Sequence, residues 1–169
     1  MNVILCGMMG AGKTSVGKLV AEHLNLRWVD TDDIIEREHG KISEIFAAFG
    51  EEHFRTLEGE VAARLSKEDG LIISTGGGFI LREENILRLK SNGRFIYLRA
   101  RVETLYGRVA FDDTRPLLKS KEGAYAQLKR RLKARAPIYE RVADDIIDTD
   151  GLTLEETVQK IVNIVKGVV

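Results

Sequence analysis

The segment Gly7-Met8-Met9-Gly10-Ala11-Gly12-Lys13-Thr14 constrains this chain more than any other. It fills every required position of the pattern G-x-x-x-x-G-K-[ST]. Before it, Val3-Ile4-Leu5-Cys6 reads as a short buried strand, and after it Val16, Leu19, Val20 and Leu24 fall on one helix face. A glycine loop between a strand and a helix is a phosphate cradle. Glycines let successive backbone N–H groups turn inward where a side chain would block approach. The helix start adds unpaired N–H groups and the positive end of its dipole. Lys13 adds a point charge for the β- and γ-phosphates, and the Thr14 hydroxyl is a ligand for Mg²⁺. A glycine-rich turn that happens to precede a lysine is the alternative, and the flanking elements argue against it. The residues from Gly10 to Ser15 are expected to bind ATP.

The rest of the composition limits what can surround this loop. A chain of 169 residues with 44% hydrophobic content is enough for one core, so a single domain spanning 1–169 is expected. Twenty-six basic residues balance 26 acidic ones, which excludes a domain-wide positive field for nucleic acid or an anionic membrane. The one cysteine, Cys6, cannot form an internal disulfide or a cysteine-built zinc site. The first apolar run is too short for a signal peptide or a membrane span. A cytoplasmic monomer is the expectation. His23, His39 and His53 are dispersed and read as surface or helix-end residues rather than ligands.

Further apolar runs repeat the strand-then-helix order. Arg27-Trp28-Val29, Leu71-Ile72-Ile73-Ser74, Phe95-Ile96-Tyr97-Leu98 and Ile146-Ile147 are strand candidates. Such uninterrupted runs suit a sheet covered on both faces, and intervening helices imply parallel crossovers. The predicted class is α/β: a three-layer sandwich with about five parallel strands flanked by helices. Ser43 reads as an N-cap for a helix carrying Ile45, Phe46 and Phe49, and Phe54, Leu57, Val61 and Leu65 stripe a longer helix. The polar stretch 110–123 has no apolar period and reads as a mobile loop.

A nucleotide loop alone leaves a kinase, a hydrolytic switch or a motor open. The chain has no N-K-x-D segment for reading a guanine base, and the strand Leu71 to Ser74 ends in Thr75 and three glycines rather than a carboxylate. Carboxylates follow the second strand instead, in Asp30-Thr31-Asp32-Asp33. In an extended run Asp30 and Asp32 would point the same way. One could hold the metal's water shell while the other meets a substrate hydroxyl. A solvated turn with Asp33 as an acidic helix cap explains the same segment equally well.

Six segments in order then carry a resemblance: Gly7 to Thr14, Asp30-Thr31-Asp32, Gly50-Glu51-Glu52-His53-Phe54-Arg55, Gly76-Gly77-Gly78, Thr114-Arg115-Pro116-Leu117-Leu118 and Arg135-Ala136-Pro137-Ile138-Tyr139. Together they resemble the shikimate kinase family nearly end to end. The resemblance implies transfer of the γ-phosphoryl of ATP to the 3-hydroxyl of shikimate. It implies a nucleoside monophosphate kinase-like fold with a substrate-binding segment over about 31–60 and a lid over about 110–123. It implies that Arg55 and Arg135 clamp the substrate carboxylate, that Gly77 and Gly78 meet the substrate, and that Asp32 meets the reacting hydroxyl. Lys13, Asp32 and Arg115 would be catalytic, Arg108 would stack on the adenine, and Thr14 with Asp30, the latter through water, would hold Mg²⁺. Guanidinium forks suit a carboxylate because they are planar, permanently charged and bidentate. Phe46 and Phe54 would wall the ring, and Glu58, one turn after Arg55, would orient its guanidinium. A kinase for another polyol acid, such as gluconate, and a non-catalytic nucleotide-dependent binding protein are the competing readings.

Overall fold

The computed structural model describes residues 1–110 and 123–167. Strand β1 (Asn2–Cys6) leads through the glycine loop to helix α1 (Lys13–Leu24), and β2 (Arg27–Asp30) follows. Helices α2 (Thr31–His39) and α3 (Ile42–Leu65) then precede β3 (Leu71–Ser74). A short 3-10 turn (Phe79–Leu81), α4 (Glu83–Lys90), β4 (Gly93–Arg99) and α5 (Val102–Val109) come next. The described part closes with α6 (Ala124–Val142), β5 (Asp145–Asp148) and α7 (Leu154–Lys166).

The strands pair in parallel in the order β2-β3-β1-β4-β5. Burial explains who sits where. Every residue of β1 and β3 is buried, and so are Phe95 to Leu98 of β4, whereas the edge strands β2 and β5 are mostly half-exposed or exposed. The predicted α/β class and strand number hold. From β1 the chain moves outward to β2, and from β3 it crosses back to β4. With right-handed crossovers this reversal sends α1 to one face and α4 to the other. Helix α1 accordingly packs on α7, and α3 on α4. The carboxyl ends of β1 and β3 therefore flank a crevice where the winding direction changes, the usual place for a ligand in an open α/β sheet.

Local expectations for two segments are corrected. Asp30 ends β2, and its own side chain caps α2 by accepting from the amides of Asp32 (2.9 Å) and Asp33 (3.5 Å). The cap is thus Asp30 rather than Asp33, and Asp32 lies in the first helical turn, so strand alternation does not relate Asp30 to Asp32. Ser43 lies inside α3, whose cap position is Lys41 without a side-chain bond. The two stripes read as separate helices are halves of α3, kinked at Gly50, where φ is 83° and the backbone leaves the helical region. Residues 111–122, which include most of the expected lid and Arg115, lie outside the described residues.

Candidate active site

The glycine loop takes a shape that few side chains tolerate: Gly10 and Gly12 have φ of 82° and 88°. Gly12 stands at the cap of α1 without any side-chain bond, so the helix start keeps amides for an anion. The Ala11 amide is already used within the loop, donating to the Met8 carbonyl at 3.1 Å. Lys13 Nζ donates to the carbonyls of Gly7 (2.8 Å) and Met8 (2.9 Å), which folds its charge over the loop. The other end of the cradle is fixed from β3, where Ser74 Oγ accepts from Trp28 Nε1 (3.0 Å) and donates to the Lys13 carbonyl (2.8 Å). Ser15 is exposed in the first turn of α1. Arg108, in the last turn of α5, donates to the Gly10 carbonyl at 3.1 Å and so stands beside the loop.

Thr14 and Asp30 meet directly, the hydroxyl donating to Asp30 Oδ2 at 3.1 Å. Burial pushes the Asp30 carboxyl above its ordinary value, and repulsion from Asp33 adds to this; bonds from the Asp32 and Asp33 amides and from Thr14 work against it. Among the described residues no three His, Cys, Asp or Glu side chains gather into a metal cluster. A hydroxyl and a carboxylate, both hard oxygen donors at the mouth of a phosphate loop, fit Mg²⁺, which takes few protein ligands and completes its shell with phosphate and water. A cation there would also relieve the repulsion that Asp30 feels from Asp33.

The glycines after β3 form the opposite wall. Gly76 N–H donates to the Thr31 hydroxyl at 3.0 Å, which ties this turn to the start of α2. A Cβ at Gly76 would lie 2.5 Å from Asp32 Oδ1, and one at Gly78 would fall within the Arg55 guanidinium. These glycines are required because charged side chains lie flat on the backbone. Gly77 is wedged between two functional parts: its Cβ position is 3.5 Å from Arg135 Nη1 and 3.7 Å from the Met9 amide.

Arg55 is 11% exposed and doubly held, donating to Glu58 Oε2 at 2.7 Å and to Glu51 Oε1 at 3.1 Å. Burial acts to lower its affinity for the proton, but Glu58 and Glu51 outweigh that and the net shift is upward. Glu58 is fully buried, and its second oxygen has no hydrogen-bond partner among the described residues. Burial pushes its carboxyl up to about 7; Asp32 adds to the rise, and Arg55 and Arg135 oppose it. Asp32, Arg55 and Arg135 are therefore all within electrostatic reach of Glu58. Phe54 is buried with its ring 5.0 Å from that of Phe46, but Phe46 is 37% exposed and forms an outer rim rather than an enclosed wall.

The family model described as shikimate kinase matches residues 9–166. The chain belongs to the shikimate kinase family. A shikimate kinase of Thermodesulfovibrio yellowstonii is 46% identical over 162 residues, covering 95% of this chain and 92% of that protein. The solved shikimate kinase of Acinetobacter baumannii in complex with shikimate superposes with a TM-score of 0.92 at 39% identity, covering 98% of this chain and 93% of that one. The shikimate kinase of Aquifex aeolicus gives 0.81 at 32% identity, with 99% and 97% covered.

Three groups of this shikimate kinase pocket escaped sequence reasoning. Thr31, between the two aspartates, holds Gly76 and is fully buried. Glu51 occupies the outer side of Arg55. Arg131 is half-buried one turn before Arg135; burial pushes its guanidinium below the ordinary value, as does the charge of Arg135, and Glu51 opposes them. The four-residue spacings Glu51–Arg55 and Arg131–Arg135 were the available signal, since residues so spaced share a helix face.

Proposed function

We infer that this chain transfers the γ-phosphoryl group of ATP to the 3-hydroxyl of shikimate, giving shikimate 3-phosphate and ADP. The observation that carries this reading is Gly77, which has the Arg135 guanidinium on one side and the phosphate loop on the other. A ring acid gripped there by Arg55 and Arg135 has its hydroxyls turned toward the nucleotide. The carboxylate would replace Glu51 on the outer side of Arg55, while Glu58 keeps the guanidinium oriented from within.

Phosphoryl transfer is mostly positioning and charge neutralisation. Lys13 leaves the loop carbonyls to meet the β- and γ-phosphates, and the loop from Gly10 to Ser15 wraps around them. Gly77 and Gly78 let the backbone approach the substrate ring. Arg108 stacks on the adenine, beside the loop that it already touches. Thr14 and Asp30 would hold Mg²⁺, which when bound neutralises charge on the phosphate oxygens. Asp32 accepts a hydrogen bond from the 3-hydroxyl and takes its proton as the oxygen bonds to the γ-phosphorus. The bond from that phosphorus to the bridging oxygen breaks, and ADP leaves. Arg115, assigned by resemblance alone, adds charge to the transferred group from the lid over 110–123. The whole chain 1–169 acts as one domain, with 31–60 as its substrate-binding segment, and works as a cytoplasmic monomer. No helix of the described residues is long and apolar enough to cross a membrane.

A coupled ADP-release assay with Mg²⁺ and ATP tests this, run with shikimate, with gluconate and with no acceptor. Release that depends on shikimate is expected. Release with gluconate but not shikimate would move the substrate assignment, and no acceptor-dependent release would favour the non-catalytic reading.

A further inference from the structure

Tyr139 lies fully buried on α6, one turn beyond Arg135 and on the same face. Its hydroxyl donates to the Gly77 carbonyl at 2.5 Å and touches Met8 Sδ of the phosphate loop at 3.8 Å. Its ring stacks on Tyr97 of β4, with centroids 4.9 Å apart. Tyr97 in turn pairs in register with Cys6, the last residue before the phosphate loop. Tyr139 therefore touches three parts that chemistry must hold in register: the central sheet, the loop that carries triphosphate and the glycine turn that faces the acceptor.

We propose that Tyr139 is a positioning residue that sets the acceptor turn, and with it Arg135, at a fixed offset from the phosphate loop. The proposal rests on the shikimate kinase reading above. Gly77 has no side chain with which to anchor itself, and a carbonyl in this wedge is costly to leave unbonded. One hydrogen bond from a rigid, stacked phenol decides where that carbonyl points and so where the adjoining Gly78 amide points. Burial pushes the phenol far above its ordinary value, so the hydroxyl remains a donor across the working pH range. The positioning should then be independent of pH. The pyrrolidine of Pro137 lies between Arg135 and Tyr139 in the helix and limits how α6 can readjust if the bond is lost.

The test compares Tyr139→Phe with Tyr97→Phe in the full chain. Tyr139→Phe keeps the ring and its stacking and deletes the hydroxyl, and with it the bond to Gly77 and the contacts with Met8 Sδ and Arg135. Its KM for shikimate is expected to rise about tenfold, with the KM for ATP within about twofold of wild type and no new break in the pH profile. Tyr97→Phe removes a buried hydroxyl that does not reach Gly77 and should leave both KM values in place. A purely structural role for Tyr139 predicts a lower Tm with both KM values unchanged, or both raised in proportion, and either result overturns the proposal. Should Tyr139→Phe not fold, the wild-type chain labelled with 3-fluorotyrosine keeps the question open to measurement. The Tyr139 resonance, assigned by elimination from Phe variants at 97, 106 and 125, must shift on adding shikimate alone. A resonance that stays put overturns the proposal. A wild type that phosphorylates no shikimate would refute the function itself, whereas an active wild type with an unchanged Tyr139→Phe KM refutes only the role of Tyr139.

Discussion

The two walls of the pocket are built in opposite ways. The phosphate wall is mainly backbone: a glycine loop with left-handed residues, a helix start, and one lysine folded over it. The acceptor wall is mainly side-chain charge, with a buried Glu58, a nearly buried Arg55 and an exposed Glu51 from α3 and half-buried Arg131 and Arg135 from α6. Backbone amides cannot ionise and cost little to hold in place. A fully buried carboxylate between guanidinium groups is expensive to desolvate and sensitive to every neighbour. The phosphate wall should therefore respond to mutation through turnover, and the acceptor wall through substrate affinity and pH.

The largest expected effect tests the first half of that contrast. Lys13→Met removes the lysine charge folded over the phosphate loop, and kcat should fall by about 10³-fold or more while the KM for shikimate changes less than about threefold. Steady-state kinetics with each substrate varied reads both. A kcat within tenfold of wild type would mean that the amides alone carry the phosphate charge. Next in size, Arg55→Ala should raise the KM for shikimate about 100-fold and leave the KM for ATP within about twofold. Equal losses in both would erase the distinction between the walls.

This contrast also explains what was legible in the chain. The phosphate wall is contiguous, so its eight residues from Gly7 to Thr14 could be read with their chemistry directly from spacing. The parallel, doubly covered sheet and its number of strands followed from apolar runs that need cover on both faces, whereas the order β2-β3-β1-β4-β5 came only from the pairing. The acceptor wall is assembled from α3 and α6, and no local pattern joins them; Arg55 and Arg135 were reached through resemblance. Thr31 and Glu51 were missed because a buried hydroxyl and a surface carboxylate look alike in sequence. The Asp30–Asp32 argument failed because the helix begins at Thr31, before an extended run can reach Asp32, so that Asp30 became the cap. Spacing cannot choose between a last strand residue and a first helical one.

The third prediction sharpens the acceptor side. The folded-state pKa of Glu58 is raised from 4.5 to about 7, chiefly by burial. Between those values the folded chain holds a proton that the unfolded chain releases, so stability from this group is full below 4.5 and is lost as pH rises through about 7. Carboxyls held below their ordinary value, such as Glu38 and Asp148, act with the opposite sign and only at lower pH. Glu58→Gln keeps the shape without the titration. Wild-type stability should fall relative to Glu58→Gln by on the order of 2 kcal/mol between about pH 5 and about pH 7 in urea titrations. Parallel stability curves for the two proteins would show that Arg55 already holds Glu58 ionised throughout, and the acceptor wall would then be as indifferent to pH as the phosphate wall.

The smallest expected effect lies on neither wall and calibrates both. Helix α7 begins with a capping box in which Thr153 Oγ1 accepts from the Glu156 amide at 3.1 Å and Glu156 Oε2 accepts from the Thr153 amide at 2.7 Å. Thr153→Ala should cost about 1 kcal/mol of stability, since one helix-end donor loses its partner. Helix α7 packs on α1, whose first turn carries Lys13 and Thr14, so a loosened α7 tests whether instability alone reaches the phosphate wall. With Val158, Ile161 and Val162 buried against the core, the helix should stay docked and kcat and both KM values should match wild type. Thermal unfolding together with the kinetic assay reads the split. If kcat fell with the lost cap, a stability change would be able to imitate a catalytic one, and the Lys13 and Arg55 results would have to be corrected for it before they could be assigned to the walls.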